Sequence, residues 1–153
     1  MSDIDEKMIK CLFIPVANGE QLLLPNAAIA EIVPVDQIMP LADSPDWVLG
    51  MLDWRGCSVP LISYEVCGGG ELPELSSNVQ IAVMYGLESA KRPYIALLMQ
   101  GIPRVARFAK EDIEESDIVN RPELISQIVN VGLDRAGILN LHLLEEKLQQ
   151  ANF

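Results

Sequence analysis

Residues 29–64 read IAEIVPVDQIMPLADSPDWVLGMLDWRGCSVPLISY, and the fold is decided by how this segment is read. Short aliphatic runs, Ile29–Val35 and Val59–Ile62, are bounded by Pro, Asp, Ser and Gly. That punctuation favours strands over helices. Met51-Leu52-Asp53-Trp54 is a mixed run, broken by Arg55-Gly56 before Cys57–Ile62. A Gly after a charged residue, between two apolar strands, reads as a hairpin tip. Such a tip thrusts Trp54 and Arg55 outward. A single Trp is more often core and a single Arg more often solvated, but the two together at a tip make an interface anchor. Ser44-Pro45-Asp46-Trp47-Val48-Leu49 predicts one short helical turn, with Ser44 as N-cap and Pro45 at its first position.

The same texture extends in both directions. Cys11–Val16, Gln21–Leu24, Val79–Met84, Tyr94–Met99, Ile128–Val131 and Ile138–Leu141 are short apolar runs. Asn18-Gly19 joins the first two and predicts a type I′ turn, because both residues tolerate positive φ. Asp134-Arg135-Ala136-Gly137 reads as the tip of the last hairpin, and Gly86 and Pro93 flank the connection of a third. Pro15, Pro34 and Pro60 cannot donate to a ladder, so they belong on edges, bulges or strand ends. Many short, interrupted strands predict small, strongly curved barrels. Cys67-Gly68-Gly69-Gly70 through Asn78 reads as an exposed loop. Asn140 predicts the cap of a C-terminal helix whose Leu141, Leu144 and Leu148 pack on their own domain.

Composition narrows the function. The 153 residues carry 22 acids against 11 bases, a net charge of -11. That charge repels phosphate backbones and anionic membrane surfaces, so no nucleic-acid partner and no membrane insertion are expected. The polar, acidic start lacks the order of a signal peptide, which predicts a cytoplasmic protein. Residues 1–10 read as an N-terminal tail and 11–150 as a single domain. Three cysteines and one histidine lack metal-ligand spacing, so no metal and no cofactor are expected. The glycines at 68–70 precede no lysine, which rules out a phosphate loop. Nucleophilic catalysis needs a base beside the nucleophile, and the only imidazole is His142. Glu111, Asp112, Glu114, Glu115 and Asp117 fit no calcium-loop pattern and read as a solvated connection. The chain suits a binding module rather than an enzyme. The alternative is a small-molecule sensor that uses a groove between barrels.

At this point the sequence resembles the CheW family of chemotaxis coupling proteins. The resemblance rests on Ile29-Ala30-Glu31-Ile32, Pro45, Val48-Leu49-Gly50, Arg55-Gly56 and Val59-Pro60-Leu61-Ile62, in order and without gaps. It continues through Tyr94–Met99 to Val105, Ile128–Gly132 and Gly137–Leu141. Trp54, Ser63 and the Met99–Ile102 stretch, Gln100 included, depart from the family pattern. These departures resemble the auxiliary adaptors of pilus-linked chemosensory systems. The resemblance implies an all-β chain: two small five-stranded SH3-like β-barrel subdomains, intertwined on a shared core, with a short C-terminal helix. It implies a non-enzymatic adaptor that couples a chemoreceptor's cytoplasmic tip to the regulatory domain of a histidine kinase. The partner-binding residues it implies are Ile29, Glu31, Ile32, Asp53, Trp54, Arg55 and Gly56, with Ile29 and Ile32 in or near the groove between barrels.

Overall fold

The computed structural model describes residues 8–36, 38–87 and 92–151. Residues 1–7 of the expected tail lie outside the described residues, and Met8–Lys10 belong to the first strand. The described residues form β1 (Met8–Pro15), β2 (Gln21–Pro25), β3 (Ile29–Pro34), β4 (Ile38–Met39), β5 (Val48–Trp54), β6 (Cys57–Ile62), β7 (Gln80–Tyr85), β8 (Tyr94–Met99), β9 (Arg104–Ala109), β10 (Ile113–Glu115), β11 (Ile125–Val131) and β12 (Asp134–Leu139). Two helices follow strands: α1 (Tyr64–Cys67) after β6 and α2 (Leu141–Ala151) after β12.

The strands form two sheets. Module one runs β10-β11-β12-β2-β1-β9 and module two runs β3-β7-β8-β6-β5-β4. Each has six strands rather than the implied five. Each module wraps its own interior. Cys11, Phe13, Leu23, Val129, Val131 and Ala136 fill module one. Leu52, Val59, Leu61, Ile81, Val83, Ala96 and Leu98 fill module two. A third cluster lies between the sheets, and it includes Leu12, Ile14, Leu22, Leu24, Ala82, Met84, Ile95, Leu97 and Met99.

This layering explains the unbroken aliphatic runs. Successive strand residues point to opposite faces. In β1, Cys11 and Phe13 face the module interior while Leu12 and Ile14 face the shared layer. In β8, Ala96 and Leu98 face inward while Ile95, Leu97 and Met99 meet the other module. Strands buried on both faces carry no polar alternation.

The two sheets also share one pairing pattern. Read across either sheet, the ladders run antiparallel, antiparallel, parallel, antiparallel, antiparallel. The sequence β3 to β8 matches β9 to β12 followed by β1 and β2, so module one is a circular permutation of module two. The parallel ladders β6–β8 and β12–β2 correspond. So do the capped helices. The Ser63 hydroxyl accepts from the Val66 N–H at 3.2 Å, and the Asn140 side-chain oxygen accepts from the Leu143 N–H at 3.0 Å. Leu144 and Leu148 of α2 are buried in the shared core, as their spacing predicts. The Glu145 carboxylate also accepts the Leu87 N–H, which ties α2 to module two.

Local readings divide. Asn18 (φ 65°, ψ 28°) and Gly19 (φ 72°) form the predicted type I′ turn. The Gly86 N–H donates to the Pro93 carbonyl at 2.7 Å and closes the predicted β7–β8 hairpin. The last hairpin is corrected: Gly132 (φ 60°) and Leu133 make the turn, and Asp134–Gly137 already pair within β12. Residues 44–49 form no helix. Pro45 opens a turn in which the Val48 N–H reaches the Pro45 carbonyl at 3.0 Å, and Val48 starts β5. Pro60 lies inside β6, where it pairs only with Met51, because the ladder to β8 begins at Leu61.

Candidate functional site

Two local irregularities build the site on module two. The first is a bulge in β3. Ile29 pairs with Met84 and Glu31 with Val83, so Ala30 is extra. A bulge resets the alternation. Ile29 and Ile32 therefore both pack on the shared core, while Ala30 and Val33 face the module interior. Glu31 opposes Val83, whose side chain lines that interior. The bulge thus aims a carboxylate at the mouth of module two.

The second irregularity is the β5–β6 tip. Trp54 pairs with Cys57, which leaves Arg55 (φ 50°) and Gly56 (φ 77°) as a two-residue turn. Both residues sit in the left-handed region, as the primed hairpin turns require. Gly56 accepts that conformation without strain. Arg55 bears its cost, which its side-chain contacts help to offset.

Those contacts converge on one oxygen. The Trp54 Nε1–H donates to Glu31 Oε1 at 3.1 Å, and Arg55 Nη2 donates to the same atom at 2.9 Å. The guanidinium lies 5.1 Å from the Trp54 ring centroid. The indole meets Tyr94 edge-on at 4.7 Å, and Tyr94 meets Tyr85 at 5.8 Å. β3 and β5 are not neighbours in the sheet. The Glu31 contacts therefore span the mouth of the module.

The predicted residues now sort themselves. Glu31, Trp54 and Arg55 come together. Arg55 projects, with 70% of its side chain exposed against 38% for Glu31. Trp54 does not project: it is half-buried and packs against the module-two interior. Its indole N–H finds a carboxylate at the mouth, so the ring is drawn in rather than thrust out. Asp53 is exposed opposite Ser58 and joins none of these contacts. Gly56 serves the turn alone. Ile29 and Ile32 belong to the face between modules and line none of the clefts described next.

Among the described residues, two clefts lie where the modules meet. One, of about 230 Å³, is lined by Val16–Asn18 and Glu20 of the β1–β2 turn, by Tyr64 and Glu65 of α1, and by Pro122 and Leu124. The other, of about 360 Å³, lies beside it around Tyr64, Ile128 and Arg135. Burial, then Glu20 and Glu65, push the Tyr64 hydroxyl up to about 12. These clefts and the arginine tip occupy different parts of the surface. Burial also raises the Cys67 thiol to about 11 and the Cys11 thiol above its ordinary value. Neither is a thiolate at neutral pH.

Sequence reading missed Tyr85 and Tyr94. Their signal was present, since they flank the β7–β8 connection and pair directly.

The family model described as the CheW-like domain matches residues 12–148. No curated protein matches the chain. Among solved structures, the crystal structure of the scaffolding protein TtCheW from Thermoanaerobacter tengcongensis is similar, with a TM-score of 0.76 and 20% identity over 89% of this chain and 86% of that one. The architecture is thus the all-β arrangement of two SH3-like subdomains with a C-terminal helix.

Proposed function

The chain belongs to the CheW-like domain family, and from that premise we propose that it couples a chemoreceptor's cytoplasmic tip to the regulatory domain of a histidine kinase. As a member of this family it is a non-enzymatic scaffold of chemotaxis signalling. The observation that carries the finer reading is the arginine held at an exposed hairpin tip by Glu31 and Trp54.

A guanidinium offers five N–H donors and keeps its charge. Nη2 is committed to Glu31, which fixes the fork. The Nη1 donors and the second Nη2 N–H, which share one edge of the guanidinium, make no other hydrogen bond among the described residues and can meet a partner carboxylate. Preorganisation of this kind lowers the cost of ordering a long side chain on binding. Transmission then needs only that receptor and kinase bind one arrangement of the complex better than another, a coupling of about 1–3 kcal/mol.

The departures at Trp54, Ser63 and Gln100 support a place among adaptors of pilus-linked systems. Deletion in the source cell is then expected to impair surface motility and to spare swimming. The direct test is capture of a receptor or kinase by the wild type beside Arg55→Ala. Arg55→Ala is expected to lose the partner and keep the fold. If it unfolds with no separable loss of binding, the interface assignment is wrong.

A further inference from the structure

This acidic chain gathers uncommitted cations on one strip of module one. Lys10 on β1 and Arg107 on β9 are direct cross-strand partners. Both are exposed, and neither forms an ion pair among the described residues. Like charges directly opposite each other destabilise a sheet. Other cations are engaged: Arg55 with Glu31, Arg104 with Asp134, Lys147 with Glu123, Arg121 with the Ile125 carbonyl and Arg135 with the Asn130 side chain.

The surroundings add to this. Alternation places Lys10 on the face of β1 that carries Leu12, and Arg107 on the face of β9 that carries Val105. Leu12 and Val105 are themselves paired. Leu12 is buried, yet Val105 is 55% exposed. β9 is an edge strand of its sheet. Lys110, the next residue after β9, is exposed as well. The strip therefore combines an aliphatic side chain, two opposed cations and an open strand edge.

We propose that this strip docks an acidic segment of a protein partner. Its carboxylates sit over Lys10 and Arg107, and an apolar residue covers Val105. Charge complementarity selects the occupant: a partner that supplies opposite charge removes the repulsion between the two cations. The inference rests on the adaptor reading only in taking the partner to be a protein.

The test uses the full chain and three labelled probes: a peptide alternating Glu and Leu, its Lys and Leu counterpart, and a single-stranded oligonucleotide. The acidic peptide is expected to bind the wild type, more weakly as salt rises. In Lys10→Glu/Arg107→Glu its affinity is expected to fall by roughly tenfold or more. Absence of peptide binding, equal binding by the reversed variant, or equally tight oligonucleotide binding overturns the proposal. Lys10→Glu alone turns a repelling pair into an attracting one. Its melting temperature is expected to hold or rise while peptide binding falls, and a lowered melting temperature overturns the reading of the pair. Co-sedimentation with receptor–kinase assemblies separates the two claims. Failure of the wild type to co-sediment refutes the adaptor reading, whereas equal retention of wild type and reversed variant refutes this inference alone.

Discussion

Replacing Glu31 by Ala removes the oxygen that both Trp54 and Arg55 use. The Arg55–Glu31 pair is largely solvated, with side-chain exposures of 70% and 38%, so its loss costs about 0–1 kcal/mol. The half-buried Trp54 N–H loses an acceptor, which costs about 0.5–1.5 kcal/mol. Together they come to about 0.5–2.5 kcal/mol, which in a domain of this size lowers the melting temperature by about 1–10 °C. Partner affinity is expected to fall far more than stability, because Arg55 loses its orientation. Calorimetry measures the first effect, and titration with the kinase or receptor fragment measures the second. A double-mutant cycle with Arg55→Ala then decides the case. If Glu31 acts through Arg55, the double variant binds no worse than Arg55→Ala alone. Additive losses would refute the positioning role. A drop in melting temperature well beyond 10 °C would instead make Glu31 a structural support.

Two further outcomes follow from packing and titration. A Cβ at Gly50 would lie 2.5 Å from the Met39 carbonyl oxygen and 2.6 Å from Ile38 Cγ2, so Gly50→Ala must push β4 off β5; urea unfolding is expected to show a loss of about 1–3 kcal/mol. The Cys67 thiol titrates at 9.0 when unfolded and about 11 when folded, so between those values the native state binds more protons. Stability is therefore expected to fall as pH rises from 9.0 towards about 11, and Cys67→Ala is expected to lessen that slope in thermal melts.

Much of the fold was legible because burial on both faces leaves aliphatic runs intact. Cys11–Val16 and Tyr94–Met99 could hardly be missed, and Asn18-Gly19 carries its turn in its own conformational preference. Other features were not local enough to read. Asp134–Gly137 has turn-like composition, but Gly132, two residues before Asp134, supplies the positive φ. Ser63 caps α1, which is only four residues long and too short to show a period. At the site, the hairpin tip could be read from Arg55-Gly56. The inward turn of Trp54 could not, because its partner Glu31 stands 23 residues away on a strand that is not its neighbour. The β3 bulge that aims Glu31 is a register shift, visible only once β7 is in place.

The permuted strand order carries a consequence for biosynthesis. Module two is built from one continuous stretch, β3 to β8, and can close as soon as that stretch leaves the ribosome. The β1–β2 hairpin is synthesised before module two, yet it must wait for β9 to β12 before its own sheet exists. Until then Phe13 and Leu23 have nothing from β9 to β12 to cover them. Closure of contacts this distant in the chain is slow, so the β1–β2 hairpin is made before module two yet sheltered after it, and in that interval the nascent chain offers it to chaperones and proteases.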